Sequence, residues 1–358
     1  MGFSDQLKKF NQAAFLPAAW FWLLPSKEVK KGQARSASLF GKDFAVYRGE
    51  DGQVRALEAY CPHMGAHLGD GIVEQNSLRC LFHNWKFDEQ GKCIEIPCRK
   101  SAAGVPQLSS FKVKEKYGLI WLWTGEADSQ EEIPHIFELE GQEVDSSMGN
   151  RFLKNCHPNV VMINAIDANH FNTVHNLVVD LHMEPTEVDQ HAIRFSNTTR
   201  VPETSPFTRF VSKFYEGSLT YQMTYWYGHV GTVTIGPDFL HFHIMFALRP
   251  AAGGTTEGQT ILITKKRSGI LGKAVNFVLL ALSKIVGNYF AKGDTLIFNK
   301  IKFNFRTPIA ADQAIVEFAR HYERQSSALA QFYPPIPKVQ APVYPPRELP
   351  ENLNEVLN

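Results

Sequence analysis

The 358-residue sequence lacks an excess of either charge, a secretory signal and a disulfide pattern. Lys and Arg number 37 and Asp and Glu number 36, a formal net charge of +1. Nothing in this balance suggests nucleic acid or a strongly charged substrate as a partner. The five cysteines are an odd number and follow no spacing typical of secreted proteins, which favours a reducing, cytoplasmic location and metal ligation.

Long apolar runs are also scarce. Residues 15–24 form a run that is too short to span a bilayer and is interrupted by a proline. Residues 269–291 would be long enough, but four polar residues make a spanning helix costly: Asn276, Ser283, Lys284 and Asn288. We expect a buried or amphipathic helix there, with contact to a membrane surface as the alternative.

The chain is otherwise ordinary for a globular protein, with 44% hydrophobic residues and a high aromatic share of 12%. Residues 38–125 read as short strands separated by turns, and the acidic segment 125–145 marks a boundary. We therefore expect two domains, 1–125 and 126–358. The second is predicted to be α+β, an antiparallel sheet with helices on one side. Its strands are expected near 219–226, 230–235, 239–248 and 260–265, and its helices near 164–177, 270–303 and 311–331.

A first group of metal-ligand residues lies in the predicted strand region. The pattern is Cys61-x-His63, sixteen further residues, then Cys80-x2-His83. Two thiolates and two imidazoles suit a [2Fe–2S] cluster in which cysteines hold one iron and histidines the other. A zinc site is the alternative, but a zinc finger pairs its cysteines together and its histidines together. The mixed halves therefore favour the cluster.

The remaining cysteines, Cys93, Cys98 and Cys156, are expected to be plain buried thiols, and His67 an ordinary polar residue.

A second group lies in residues 164–175, which read NAIDANHFNTVH. His170 and His175 are five residues apart, and a slightly distorted helical turn would point both rings to one side. Two histidines and a carboxylate form the facial triad of non-haem iron oxygenases. From the spacing alone, structural histidines would be the better interpretation.

Together the two motifs resemble a known family. C-x-H-x16-C-x2-H followed by Trp85 resembles the Rieske domain of ring-hydroxylating and related oxygenases, and N-x2-D-x2-H-x4-H is similar to their catalytic-domain motif. The resemblance implies an N-terminal all-β Rieske [2Fe–2S] domain and a C-terminal helix-grip, START-like catalytic domain. It also implies the oxygenase (alpha) component of such a system.

By this resemblance, His170 and His175 bind a mononuclear Fe(II). Asp167 is implied to be the bridging carboxylate that accepts a hydrogen bond from His83 of a neighbouring subunit in a homotrimer. The third iron ligand is implied to be Asp294, in a segment similar to the family's D-x2-I-W with Phe298 in place of Trp. Asp180 and Asp189 are the alternatives nearer in sequence.

The implied activity is a monooxygenase-type oxidation of a bulky, largely apolar small molecule with O2: hydroxylation, N-oxygenation or desaturation. Residues 81–93 and 265–271 resemble the group of aminopyrrolnitrin oxygenase, and 164–175 resembles ketosteroid hydroxylases and cholesterol desaturases. Because the chain has no dinucleotide-binding G-x-G-x-x-G after a strand, NAD(P)H would act only through a separate reductase, with or without a ferredoxin. An electron-transfer protein or a ligand-binding module without oxygenase activity is the alternative.

The two motifs predict a metal content. Anaerobically purified protein is expected to contain about three irons and two acid-labile sulfides per chain. After reduction with dithionite, its EPR spectrum should be rhombic with a low average g. Zinc in place of iron would contradict this prediction.

Overall fold

The computed structural model describes residues 6–12, 14–127, 130–174, 182–200, 217–237, 239–298 and 300–333. Up to residue 127 the regular elements are strands and single 3-10 turns. The strands are β1 (Trp20–Pro25), β2 (Gln33–Leu39), β3 (Lys42–Arg48), β4 (Val54–Glu58), β5 (Ile72–Glu74), β6 (Ser77–Arg79), β7 (Lys86–Phe87), β8 (Cys93–Glu95), β9 (Ser110–Phe111), β10 (Val113–Lys116) and β11 (Leu119–Trp123).

These strands form three small sheets with the orders β1-β11-β10, β2-β3-β4-β9 and β5-β6-β7-β8. The strand β11, Leu-Ile-Trp-Leu-Trp, is buried along its whole length because it lies between β1 and β10. Strands β10 and β11 lie within residues 38–125, where short strands were expected. They form a separate sheet with β1, which overlaps the apolar run 15–24.

The second part of the chain is built on one seven-stranded antiparallel sheet of order β12-β18-β17-β16-β15-β14-β13. Its strands are β12 (Val144–Lys154), β13 (Glu184–Glu187), β14 (Ala192–Arg200), β15 (Ser218–Trp226), β16 (Val230–Pro237), β17 (Phe242–Pro250) and β18 (Thr256–Lys265). The described helices are α1 (Pro158–Asn164), α2 (Ala168–Val174), α3 (Gly269–Gly293), α4 (Thr295–Phe298) and α5 (Gln313–Glu323). The predicted α+β class, strands first and then a sheet with helices, is confirmed.

Two predicted helices are too long. Helix α3 ends at Gly293, α4 adds one turn, and residues 301–309 contain no regular element. Helix α5 ends at Glu323 because the chain then pairs with the N-terminal segment, where the N–H of Ala18 donates to the carbonyl of Ser326.

None of the described helices combines the length and the hydropathy needed to cross a membrane.

The two halves of the chain meet through Trp22 on β1. Its indole N–H donates to the carbonyl of Ala247 on β17, 3.1 Å away. The Arg249 guanidinium stacks 3.7 Å from the centre of its ring and donates to its carbonyl. Glu257 neutralises that guanidinium at 2.7 Å. Because Trp22 is 1% exposed, this cation–π contact is desolvated and stronger than a surface one.

The N-terminal residues are anchored to the last helix by Phe10. Its ring is fully buried and makes edge-to-face contacts with four aromatic rings, those of Phe303, Phe305, Phe318 and Tyr322, at centroid distances from 5.5 to 6.2 Å. Such contacts favour the edge-on geometry because the ring edge is positive and the face negative.

Replacement of this ring tests its contribution to stability. We expect Phe10→Ala to lower the free energy of unfolding by about 3–5 kcal/mol, because it removes a large buried side chain and leaves a cavity. The measurement is urea-induced unfolding followed by fluorescence. Lys8→Ala, at an exposed neighbouring position, is the control, and an equal loss in both variants would contradict the role given to Phe10.

Candidate metal centres and cavity

Cys61 and Cys80 begin two loops of similar geometry. In the first loop, Gly65 N–H donates to the Cys61 carbonyl at 2.9 Å, and Cys61 N–H donates to Ala66. In the second, Asn84 N–H donates to the Cys80 carbonyl at 3.0 Å, and Cys80 N–H donates to Trp85. Both turns need a left-handed residue, supplied by Gly65 (φ 76°) and Asn84 (φ 62°), residue types that tolerate this conformation.

The loops bring the four predicted cluster residues to one place. Cys61 and Cys80 are 3% and 2% exposed, whereas both histidines lie at the exposed surface. The rings of His63 and His83 are 4.4 Å apart between centroids, and His63 stacks on Trp85 at 4.5 Å. Two inner thiols and two outer imidazoles are the donor arrangement of a Rieske cluster, so the residues fit this group.

The burial of the two cysteines also favours a cation beside them, because a buried thiolate needs a nearby positive charge. Burial, and to a smaller extent the adjacent Cys80 side chain, raises the pKa of the Cys61 thiol to about 11. The backbone N–H of His63 donates to the Cys61 sulfur and acts in the opposite direction. Thiolates must form before a metal is bound, and ferric ions would supply the positive charge that this buried pair lacks.

The other three cysteines differ in their exposure to solvent. Cys93 and Cys156 are buried as expected, but Cys98 is exposed, so the prediction of a buried thiol was wrong there. It lies in the turn that follows β8, where it has no sheet to pack against. His67 is a local cap: its Nδ1 accepts the N–H of Gly69 at 3.0 Å.

The second metal-ligand group lies on a bent pair of helices. Helix α1 begins after His157, whose side chain accepts the N–H of Asn159, and Pro158 occupies its first position. Helix α2 begins after Asp167, whose Oδ1 accepts the N–H of His170 at 3.1 Å. This is the bond of a helix N-cap, and it fixes Asp167 beside the predicted ligand His170.

Asp294, which is 124 residues further along the chain, lies beside His170. It directly follows α3, and its Oδ1 lies 2.9 Å from Nε2 of His170. Two ligands about 2.1 Å from one metal and at about 90° to each other would be separated by about 3.0 Å. The pair therefore fits two neighbouring positions of one metal. His175 and Asp180 lie outside the described residues.

Asp189, an alternative to Asp294, serves another purpose. Its Oδ1 accepts the N–H groups of His191 and Ala192 at 2.6 and 2.8 Å, in the turn before β14. Its carboxylate thus closes a turn, and it does not line the cavity described next.

A cavity of about 400 Å³ extends from His170 and Asp294 between the sheet and the helices. Most of its lining is apolar, including Phe152, Val161, Phe171, Ile244, Phe246 and Leu262. Polar groups line it from several elements: Lys284 and Asn288 on α3, Asn150, Arg151 and Lys154 on β12, and Asn164 at the end of α1. Asn150 donates to Asn288. The volume is within the range of sites for drug-sized molecules.

Three residues of this region were not predicted from the sequence. The Tyr221 hydroxyl donates to the Ala165 carbonyl at 2.7 Å, and that of Tyr225 donates to Met162. Both bonds tie the end of α1 to β15. Asn164 lines the cavity, and its buried amide nitrogen has no partner among the described residues. Asn164 opens the NAIDANHFNTVH motif, but the tyrosines carried no sequence signal.

The chain is similar to known proteins over much of its length. Residues 19–112 match the family model of the Rieske [2Fe-2S] domain. Aminopyrrolnitrin oxygenase from Pseudomonas fluorescens is 24% identical over 310 residues, 76% of this chain and 82% of that protein. Cholesterol 7-desaturase from Bombyx mori is 33% identical over 162 residues, 45% of this chain and 36% of the relative. The expected resemblance to Rieske oxygenases is confirmed.

The chain spans only a part of several of these relatives. Its matches cover between 24% and 38% of the length of four cholesterol 7-desaturases. Among solved structures, dicamba monooxygenase bound to dicamba covers 87% of this chain and 97% of its own, with a TM-score of 0.60 and 21% identity. At 21% identity, this similarity shows a shared fold.

Removal of one tyrosine hydroxyl tests how the iron-binding helix is held. We expect Tyr221→Phe to cost about 1–3 kcal/mol of unfolding free energy, because the carbonyl of the half-buried residue Ala165 loses its partner, and to weaken Fe(II) binding. Tyr47→Phe removes a similar bond, from a hydroxyl to the Asn76 carbonyl, far along the chain from His170. Urea unfolding and Fe(II) titration check both variants. If Tyr47→Phe weakened Fe(II) binding equally, the assignment would fail.

Proposed function

We propose that this chain is the oxygenase component of a Rieske-type system that oxidises a bulky, largely apolar small molecule with O2. The observation that carries the proposal is the His170–Asp294 pair, 2.9 Å apart at the wall of an apolar cavity. The same chain contains a Rieske domain, a source of single electrons. Relatives named aminopyrrolnitrin oxygenase and cholesterol 7-desaturase support oxidation chemistry.

In this proposal, His170, His175 and Asp294 hold a mononuclear iron, and Cys61, His63, Cys80 and His83 hold the cluster. When bound, the iron would supply O2 activation with electrons delivered through the cluster. The protein contributes position and exclusion of water. Phe152, Phe171 and Phe246 supply apolar contact for the substrate, and the Asn164 amide offers it a hydrogen-bond donor.

Electron delivery would require a second subunit. We propose a homotrimer in which Asp167 accepts a hydrogen bond from His83 of the neighbouring subunit. The exposed position of His83 supports this, since its ring is accessible to another chain. Electrons would come from a separate reductase, directly or through a ferredoxin. We also propose that the chain divides near residue 125 into two domains, 1–125 with the cluster and 126–358 with the mononuclear iron.

The alternative is a Rieske electron carrier or a ligand-binding module without oxygenase activity. An electron carrier would need only the first part of the chain. It would have no use for a histidine and a carboxylate converging on an apolar cavity, whereas an oxygenase requires them. The pair therefore favours the enzyme.

Asp167→Asn tests the proposed function and the bridge. Asparagine is also a good N-cap, so α2 and the position of His170 should persist. We expect cluster and mononuclear iron to stay bound, while oxidation of an apolar test substrate falls by at least about a hundredfold. Iron content, the EPR spectrum and product formation with a reductase are measured.

Asp294→Ala is the matched control. This variant should retain the cluster signal but lose the mononuclear iron and all product, because it removes a ligand. Normal turnover in Asp167→Asn would refute the bridge, and normal turnover in Asp294→Ala would refute the proposed iron site.

A further inference from the structure

Helix α3 has an unusual distribution of polar and apolar residues. On the face toward the sheet, Asn276 and Ser283 are each 2% exposed. Asn276 donates to Asp145 at 2.6 Å and accepts from Arg267 at 2.8 Å, and Ser283 donates to the Leu279 carbonyl. The inner face thus holds buried polar side chains whose hydrogen bonds are made within the protein.

The opposite face of α3 is apolar and exposed. Seven large hydrophobic residues on it are between 41% and 89% exposed: Ile270, Leu271, Val275, Phe277, Val278, Leu282 and Ile285. At about 100° per residue they cover an arc of roughly 160°. Water-soluble helices show the reverse arrangement, with the apolar stripe toward the core. A contiguous exposed apolar face of this kind marks an interaction surface.

The sequence segment that contains α3 is strongly basic. Residues 265–306 contain nine basic residues and one acidic residue, Asp294, which belongs to the candidate iron site: the basic residues are Lys265, Lys266, Arg267, Lys273, Lys284, Lys292, Lys300, Lys302 and Arg306. The whole chain has a net charge of only +1, so positive charge is concentrated here. Glu143, which pairs with Lys266 at 3.2 Å, offsets one of these charges.

We propose that this outer face of α3 binds the surface of an anionic lipid bilayer. Apolar side chains flanked by lysines are the composition of helices that lie in the interface of a membrane, and basic residues near the surface add attraction to anionic headgroups. A second copy of this chain would bring like charges together. The apolar arc is also wider than the narrow seam by which two helices pair.

The cavity lies against the same helix. Lys284, Gly287 and Asn288 of α3 line it, and Lys284 and Asn288 are also exposed. The cavity wall thus reaches the surface beside the apolar face. A chain bound through α3 would hold its cavity next to the lipid phase, where apolar molecules concentrate.

Flotation of the full-length, cluster-loaded protein with lipid vesicles tests the proposal, and it needs no turnover. We expect binding to phosphatidylcholine vesicles that contain about a third phosphatidylserine, weak binding to pure phosphatidylcholine, and release by high salt. Phe277→Asp and Lys273→Glu should each reduce the bound fraction by about tenfold or more.

Two control variants carry the same types of substitution at exposed positions outside α3. Phe239→Asp alters a phenylalanine that is 74% exposed, against 75% for Phe277, and Lys30→Glu reverses an exposed lysine in the first part of the chain. Both should bind vesicles like the parent. Unchanged EPR and circular dichroism spectra establish that the variants are folded.

Two outcomes would overturn the proposal. The first is absence of vesicle binding by the parent, or equal binding by Phe277→Asp and Phe239→Asp. The second is a change of molecular mass in solution caused by Phe277→Asp, which would assign the face to contacts between copies of the chain. Either outcome leaves the proposed oxygenase function untouched, because that function is tested by iron content and product formation.

Discussion

The contact between His170 and Asp294 is the point on which the second half of the structure depends. It joins residues 124 apart in sequence across 2.9 Å, so each side chain must be held by its own support. His170 is placed by the Asp167 cap and by the tyrosine bonds to the end of α1. Asp294 is placed by α3, which is seated on the sheet through hydrogen bonds of Asn276.

The sheet supplies the rigid frame for both supports. Strands β12, β17 and β18 carry α3, and β15 carries the tyrosines that hold α1. The first half of the chain is fixed to this frame at Trp22, between the Ala247 carbonyl and the Arg249 guanidinium. The inner face of α3 carries the polar anchors Asn276 and Ser283, while seven of its large hydrophobic residues lie on the outside.

The loops that carry Cys61, His63, Cys80 and His83 could be recognised in the sequence because their geometry is local. Each loop supplies one thiol and one imidazole within four residues, and its turn is closed by hydrogen bonds between neighbouring residues. Gly65 and Asn84 are residue types that such turns accept. Asp167 and His170 were recognisable through the resemblance of residues 164–175 to the catalytic-domain motif, and the structure ties them together by the N-cap bond of α2.

The sequence by itself thus determined the cluster loops, the α+β class and the motif around His170, because these depend on contacts between near neighbours. Only the tertiary structure decided that β1 pairs with β11, that α3 stops at Gly293, that Tyr221 supports α1, and that α3 turns its apolar face outward. Each of these depends on which distant segment is adjacent in space. The sequence around a hydrophobic residue or a tyrosine does not show which distant segment that residue will contact in the folded chain.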